Sequence, residues 1–181
     1  MNDKFEIVYE PTVDLIKKSI ELDKLVFQDE CDICDIDTCM EWTRKNDKLY
    51  TFLLANGELI GYTNLMPVTN EFYDKFKSGK LKDSSISKDD IVVYEKNKTY
   101  KCLFVSIVVS PKFQNTLALK YLFQGFVNNM KMLKNEGIHI SNILMDCVSV
   151  MGRKCAIKML NGKFITNSSN GEIFEGDLRN L

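Results

Sequence analysis

The sequence predicts an α/β protein of the α+β kind, in which helices and strands share one core. The chain has 181 residues, of which 45 % are hydrophobic, and a compact domain of this size buries roughly 70 % of its unfolded surface. Apolar runs of strand length alternate with segments of helical period along the chain. The pairs Asn56-Gly57 and Asn170-Gly171 each separate two apolar runs and indicate hairpins. We therefore expect a single domain over residues 1–181.

The first elements are a strand and two helices. Residues 5–9 alternate apolar and charged side chains, which predicts a strand. A helix capped by Thr12 or Asp14 follows, and a second short helix is predicted over residues 38–45. The apolar positions of the first helix recur at helical spacing: Val13, Ile16, Ile20, Leu25 and Phe27.

A strong hairpin signal comes next. Residues 50–55 and 59–66 are apolar runs on either side of Asn56-Gly57, and this dipeptide favours the turn that matches the twist of two antiparallel strands. A short helix is predicted over residues 70–76. Residues 77–98 then form a polar excursion, and nothing in its composition indicates a linker between domains.

The second half alternates strands and helices. Residues 100–109 form a long apolar run that predicts a buried strand. Further predictions are a strand over 143–150, a helix over 153–160 and a last hairpin that joins 164–166 to 172–174. Between the first two strands lies a long helix that Gly137 ends, with its apolar stripe at Leu117, Tyr121, Leu122, Phe126, Met130 and Leu133.

The junction between the strand 100–109 and this long helix is the most informative segment. A helix N-terminus exposes unpaired backbone N–H groups at the positive end of the helix dipole, which suits it to hold a phosphate. The strand ends in Val109-Ser110-Pro111, and Phe113 and Gln114 follow. This pattern resembles the central motif of the GNAT superfamily of acyl-CoA-dependent N-acetyltransferases, and the order of elements resembles that fold over nearly the whole chain.

The resemblance implies a fold, an activity and a set of cofactor contacts. The fold would be a mixed, mostly antiparallel central sheet flanked by helices. The activity would be direct transfer of an acetyl group from acetyl-CoA, as cosubstrate, to a primary amine of a small molecule or peptide. The residues expected to bind the cofactor are Ile107, Val108, Val109, Gln114, Asn115, Thr116, Leu117, Ala118, Leu119 and Lys158.

The chain departs from the family pattern at two places. Asn115, Leu117 and Leu119 stand where glycines are usual in the phosphate-binding loop, and Met159 or Lys158 falls where many relatives carry a Tyr that protonates the leaving thiolate. A catalytically inactive protein of the same fold, which binds acyl-CoA or another protein, is therefore the alternative hypothesis.

Candidate catalytic residues are few because residues 102–109 contain no carboxylate. Asp146, inside an apolar strand, is the candidate general base, and Ser106 would help by holding a water. A structural role for Asp146 as a hydrogen-bond acceptor is the alternative. Tyr62 and Asn64 on one face of their strand, with Glu71 after it, are candidates to line the acceptor side.

Charge is uneven although the net charge is -1. Residues 1–100 carry 14 basic and 20 acidic side chains, whereas residues 101–181 carry 10 and 5. The basic half would attract a polyanion such as CoA, and the acidic segment 21–47 would favour a cationic acceptor. Solvated helix faces and a solvated acidic loop are the alternative interpretations. A pI near 5.9 and the lack of a basic stripe argue against nucleic acid binding.

The six cysteines are interpreted as thiols. Without an apolar leader or an apolar run of membrane length, we expect a reduced, cytoplasmic protein without membrane partners. Cys31, Cys34 and Cys39 raise the alternatives of zinc binding or disulfide exchange, but a structural zinc site needs four ligands and no second Cys pair or His has suitable spacing. No metal is therefore predicted. Pairing with a second copy stays open.

Overall fold

The computed structural model describes residues 4–27 and 33–179. In chain order its helices and strands are β1 (Phe5–Val8), α1 (Val13–Phe27), α2 (Ile36–Lys45), β2 (Tyr50–Ala55), β3 (Glu58–Pro67), α3 (Asn70–Lys77), β4 (Lys98–Val109), α4 (Ala118–Asn135), β5 (Ile138–Cys147), α5 (Val150–Met159), β6 (Lys163–Asn167) and β7 (Glu172–Asp177). Every helix and strand expected from the sequence is present.

The strands form one sheet in the order β1-β2-β3-β4-β5-β7-β6. The pairs β1–β2, β2–β3, β5–β7 and β6–β7 are antiparallel, and β4–β5 is parallel. The α4 helix connects these two parallel strands, as a crossover between parallel neighbours requires. The expected mixed, mostly antiparallel sheet flanked by helices is confirmed.

The strand β5 differs from its prediction at both ends. It begins at Ile138 rather than at residue 143 because its first residues pair with β4, starting at Lys98. This paired segment contains polar side chains, so it is not an apolar run and the sequence pattern did not predict it as part of the strand. It ends at Cys147 because Ser149 caps α5: its hydroxyl accepts a 3.0 Å hydrogen bond from the N–H of Gly152.

The last hairpin turns differently from an Asn-Gly hairpin. Its loop is closed by a 2.9 Å hydrogen bond from the N–H of Ser168 to the carbonyl of Gly171. A Cβ on Gly171 would lie 2.6 Å from the Cys147 carbonyl oxygen and 2.8 Å from a carboxylate oxygen of Asp146. The glycine is therefore required here by the close approach of β5.

By compactness the chain divides into two units, residues 1–64 with 106–129 and residues 65–105 with 130–181. The first unit has a core between β2, the end of β4 and the start of α4. Its buried residues are Leu53, Ala55, Ile60, Val109, Ala118 and Leu122, with Phe5, Ile7, Ile107, Phe113 and Leu119 packed against them.

In α1, burial follows only part of the expected stripe. Ile16 is buried, whereas Val13 and Leu25 are exposed. The buried residues are Leu15, Ile16, Ser19 and Leu22. Helical spacing therefore predicted the helix correctly, but the face that packs is rotated away from Val13 and Leu25.

In the second unit, α3 is attached to β7 by polar contacts. The Tyr73 hydroxyl donates a 2.8 Å hydrogen bond to Glu175, and the Lys77 ammonium lies 2.7 Å from the other oxygen of the same carboxylate. No helix in the described residues is long and apolar enough to cross a membrane.

Candidate functional site

The end of β4 extends beyond its pairing with β5. The parallel ladder runs from Lys98 opposite Ile138 to Leu103 opposite Leu144, yet β4 continues to Val109. The predicted cofactor contacts Ile107, Val108 and Val109 lie in this continuation. The β5 ladder therefore uses none of their backbone groups, as expected for a strand that presents N–H groups to a ligand.

A tight turn follows the strand. Ser110 donates its N–H to the Ile60 carbonyl at 2.7 Å, and residues Pro111–Phe113 make one turn of 3-10 helix. The Gln114 side chain donates a 3.3 Å hydrogen bond back to the Val109 carbonyl. Gln114 thus closes the turn through its side chain.

Thr116 fixes the start of α4. Its hydroxyl donates to the Phe113 carbonyl at 2.7 Å and accepts from the Ala118 N–H at 3.1 Å. The helix itself begins with the 3.0 Å bond from the Tyr121 N–H to the Leu117 carbonyl.

Four backbone donors remain available at this junction. In the described part of the chain, the N–H groups of Asn115, Leu117, Leu119 and Lys120 have no hydrogen-bond acceptor. They lie at the positive end of a helix of 18 residues. Such a set of N–H groups at a helix N-terminus is suited to bind an anion such as a phosphate.

Of the three side chains at residues 117–119, two are buried or packed against the core. Ala118 is fully buried, and Leu119 packs on the core of the first unit. Leu117 is 59 % exposed. The non-glycine residues therefore remove no donor, and Leu117 is the one of these three side chains that is largely exposed.

A second group of polar residues lies between α1 and the sheet. The Tyr62 hydroxyl contacts both carboxylate oxygens of Asp23, at 2.6 Å and 2.7 Å. Burial, followed by the charge of Asp23, raises the pKa of Tyr62 well above its usual value, and a hydrogen bond with Ser106 opposes that rise. Ser106 thus joins β4 to this group, whereas Glu71 lies on α3 and pairs with Lys75 at 2.7 Å.

Sequence reasoning named Tyr62, Asn64 and Ser106 but missed the role of Asp23. Helical spacing could have identified Asp23. It follows the buried Ile16 and Ser19 by seven and four residues, so it lies on the same face of α1. An acidic residue on the buried face of a helix needs a partner.

Asp146 lies on β5 in the second unit. Its carboxylate accepts a 2.8 Å hydrogen bond from the Ser168 hydroxyl, whose oxygen in turn accepts from the N–H of Gly171 at 2.8 Å. Burial raises the pKa of Asp146, and the Ser168 bond opposes this. The carboxylate holds the β6–β7 loop, which agrees with the alternative that Asp146 is a structural hydrogen-bond acceptor. Its role as a general base stays a prediction. The cofactor contact of Lys158, which is exposed on α5, also stays a prediction.

Of the three cysteines considered for zinc or redox chemistry, Cys31 lies outside the described residues. Cys34 and Cys39 are not in disulfide bonds, and burial raises the pKa of Cys39 to about 11. No group of three metal-ligating His, Cys, Asp or Glu residues occurs within residues 4–27 and 33–179.

No protein-family model matches the sequence, and no curated protein is significantly similar to it. Solved structures match it in fold. The loading GNATL domain of CurA from Lyngbya majuscula aligns over 98 % of this chain and 100 % of that domain, with a TM-score of 0.70 and 10 % identity. The chain has the GNAT fold.

Two further structures extend the comparison. The PaiA N-acetyltransferase of Thermoplasma acidophilum, solved with coenzyme A, has a TM-score of 0.54 at 14 % identity and covers 96 % of this chain and 99 % of its own. The C-terminal condensation domain of Ebony, bound to beta-alanyl-dopamine, has a TM-score of 0.60 at 10 % identity, with 98 % and 100 % covered. At these identities the GNAT likeness is one of fold.

Proposed function

We propose that this protein is an N-acetyltransferase that binds acetyl-CoA and transfers the acetyl group directly to a primary amine. The observation that carries the proposal is the set of four N–H groups at the start of α4, next to the end of β4, in a chain with the GNAT fold. The coenzyme A complex of the PaiA enzyme supports a ligand of this class.

The pyrophosphate of CoA would bind to the N–H groups of Asn115, Leu117, Leu119 and Lys120. Backbone donors do not depend on side-chain identity, so the lack of glycines costs clearance at Leu117 and no hydrogen bond. The exposed ammonium groups of Lys112 and Lys120 add attraction for the phosphates. Lys158 is a further proposed phosphate contact.

Transfer itself requires little covalent help from the protein. The neutral amine attacks the thioester carbonyl, the N–C bond forms, the C–S bond breaks, and the CoA thiolate leaves and takes up a proton. A thiol with a pKa of about 8.5 leaves readily as a thiolate, so a Tyr on α5 is not essential. The proposed acceptor of the amine proton is Asp146, whose raised pKa brings it closer to neutral pH.

The first experiment measures the melting temperature with acetyl-CoA and with acetyl-pantetheine, which lacks the pyrophosphate. Acetyl-CoA at about 100 times its Kd should stabilise by roughly 2.7 kcal/mol. Acetyl-pantetheine at the same concentration should give a much smaller shift. Equal shifts, or none with either compound, would remove the phosphate site on α4 from the proposal.

The second experiment follows thiol release across polyamines, aminoglycosides, amino acids and peptide N-termini. Release above the rate of spontaneous hydrolysis with at least one amine is the expected result. Background release with every amine, despite protection by acetyl-CoA, would favour the second candidate, an inactive acyl-CoA-binding protein. The exposed Leu117 and the absence of a Tyr at Lys158 or Met159 are the observations in its favour.

A further inference from the structure

Between α1 and the sheet, the first unit contains a set of polar side chains beside aromatic rings. We propose that this set, which we call the ammonium cluster, binds a cationic group of the acceptor and makes diamines the preferred substrate class. The cluster consists of Asp23, Tyr50, Tyr62, Asn64 and Ser106. The inference rests on the proposed function, because it assigns the acceptor of the same reaction.

Asn64 provides the observation that points to a ligand. Its side chain is 3 % exposed, and its Oδ1 atom is the one buried side-chain oxygen or nitrogen of the described residues that has no hydrogen-bond partner. A buried acceptor without a donor destabilises the folded protein. A ligand that donates a hydrogen bond to this atom would remove that destabilisation.

The backbone directs Asn64 towards the other members of the cluster. Asn64 lies directly opposite Tyr50 in the β2–β3 ladder, and Tyr62 precedes it by two residues on the same strand. Residues opposite each other, and residues two apart on a strand, share one face of a sheet. The orphan oxygen therefore faces the side on which Tyr62 meets Asp23.

The unpartnered oxygen of Asn64 lies in a cluster that contains a carboxylate. The Tyr62 proton is used on Asp23, at 2.6 Å and 2.7 Å from its two oxygens. Ser106 is hydrogen-bonded to Tyr62. The Asn64 amide oxygen accepts hydrogen bonds only, and an ammonium group, which supplies donors only, matches it beside the negative charge of Asp23.

Aromatic rings lie beside the cluster. The rings of Tyr50 and Phe52 stack with centroids 5.3 Å apart, and the Tyr62 ring lies 6.2 Å from that of Tyr50. Ring faces attract a cation, and the attraction is stronger when the cation is desolvated. Asp23 and Ser106 are partly exposed, so the cluster borders solvent on their side.

The group bound here is a second cation and not the reacting amine. A carboxylate and aromatic rings stabilise the protonated form of an amine, whereas attack on a thioester requires the neutral form. A substrate that uses the ammonium cluster for binding therefore needs another amine for the chemistry. Compounds with two amino groups meet both requirements.

The test compares 1,5-diaminopentane with 5-amino-1-pentanol, which has the same chain length and one amine. We expect kcat/KM for the diamine to exceed that for the amino alcohol by roughly tenfold or more, mostly through KM. The diamine alone should raise the melting temperature more than the amino alcohol does. Equal kcat/KM values with measurable turnover would overturn the ammonium cluster and leave the acetyltransferase proposal standing.

Asn64→Leu is the variant that tests the orphan oxygen. It should raise the melting temperature or leave it unchanged, because the unpartnered acceptor is gone, and it should reduce the preference for the diamine to near unity. A purely structural Asn64 predicts a lower melting temperature and an unchanged preference. If Asn64→Leu does not fold, Asn64→Ala is used with the same readouts.

Asn129→Leu is the matched control. Asn129 is also a buried asparagine of the first unit, but its amide donates a 3.3 Å hydrogen bond to the hydroxyl of Thr51. This variant should lower the melting temperature and keep the preference for the diamine.

Absence of turnover with every amine, together with protection by the diamine, would overturn the acetyltransferase proposal while the cation site stands. Absence of turnover and of protection would overturn both.

Discussion

Tyr62 and Asp23 form a short polar contact in the first unit. One phenol proton serves both oxygens of a carboxylate on the neighbouring helix. Hydrogen bonds to charged groups contribute about 1.5–3 kcal/mol. We expect Tyr62→Phe to lower the free energy of unfolding by this amount, measured by urea denaturation.

A double-mutant cycle with Asp23→Asn separates the contact from packing effects. The two substitutions should be far from additive if the phenol and the carboxylate stabilise each other. Additive losses would show that the contact contributes nothing and that each residue acts through other neighbours.

Asp146 gives a pH dependence whose sign follows from its burial. Its folded pKa is raised above the usual 3.8, so the folded protein holds the proton more tightly than the unfolded one. The free energy of unfolding therefore falls as the pH rises from the unfolded pKa, near 3.8, to the raised folded pKa, and it stays at the lower value above that range. Asp146→Asn should therefore be more stable than the parent protein at pH 7 and equal to it near pH 3, as measured by thermal melts.

Ser168→Ala is the control for this prediction. Both Asp and Asn at position 146 can accept the Ser168 hydroxyl proton, so the loss of Ser168 should destabilise the protein at both pH values. If Asp146→Asn were less stable at pH 7, the charge itself would be required by the fold. Loss of turnover in a stable Asp146→Asn protein would support the role of base.

At the scale of elements, the turn into α4 is the proposed site of cofactor binding. Leu117 is exposed and Leu119 packs on the core. Leu117→Gly should tighten acetyl-CoA binding, because it removes an exposed side chain beside the proposed phosphate site. Calorimetric titration measures the change in Kd.

Leu119→Gly serves as the comparison. It should lower the free energy of unfolding by about 2–5 kcal/mol through loss of a packed side chain, without a gain in affinity. An unchanged Kd in Leu117→Gly would contradict the interpretation that clearance limits binding.

The end of β4 depends on a close approach of β3. A Cβ on Gly61 would lie 2.7 Å from the Val108 carbonyl oxygen, which is backbone and cannot rotate away. Gly61→Ala should displace the end of β4, so we expect weaker acetyl-CoA binding in addition to a stability loss of about 1–3 kcal/mol. Affinity is measured below the melting temperature of the variant.

Gly176→Ala is the control, because it introduces a similar steric clash elsewhere. Its Cβ would lie 2.5 Å from the Leu160 carbonyl oxygen in the second unit. A similar loss of stability with normal affinity is expected. Equal losses of affinity in both variants would mean that affinity follows stability and not the position of β4.

Element boundaries could be predicted wherever a local signal sets them. Asn56 and Gly57 have φ values of 52° and 85°, the left-handed conformation that an Asn-Gly hairpin turn requires. Gly137, with φ of 83°, ends α4 in the same conformation. The start of β5 was missed because strand pairing sets it, and pairing involves residues distant in sequence.

For the whole molecule, the thiols report on the integrity of the fold. Burial raises the pKa of Cys102 and of Cys147 to about 12, and that of Cys39 to about 11. The thiolate is the reactive form. We expect these three cysteines to resist iodoacetamide at pH 8 and to react after unfolding in urea, as followed by mass spectrometry of peptides.

The partly exposed Cys34 is the internal control and should react first. Labelling of Cys102 in the native protein at the rate of Cys34 would show that the second unit opens frequently.

The sequence by itself determined the class of fold, the order of elements and the position of the turn between β4 and α4, because hydrophobic period, turn residues and helix capping act over a few neighbouring residues. Tertiary structure alone decided that Leu119 turns inward, that Asp146 holds the β6–β7 loop, and that Asp23 meets Tyr62. Each of these depends on which distant backbone lies within a few ångströms, and no local pattern encodes such a distance.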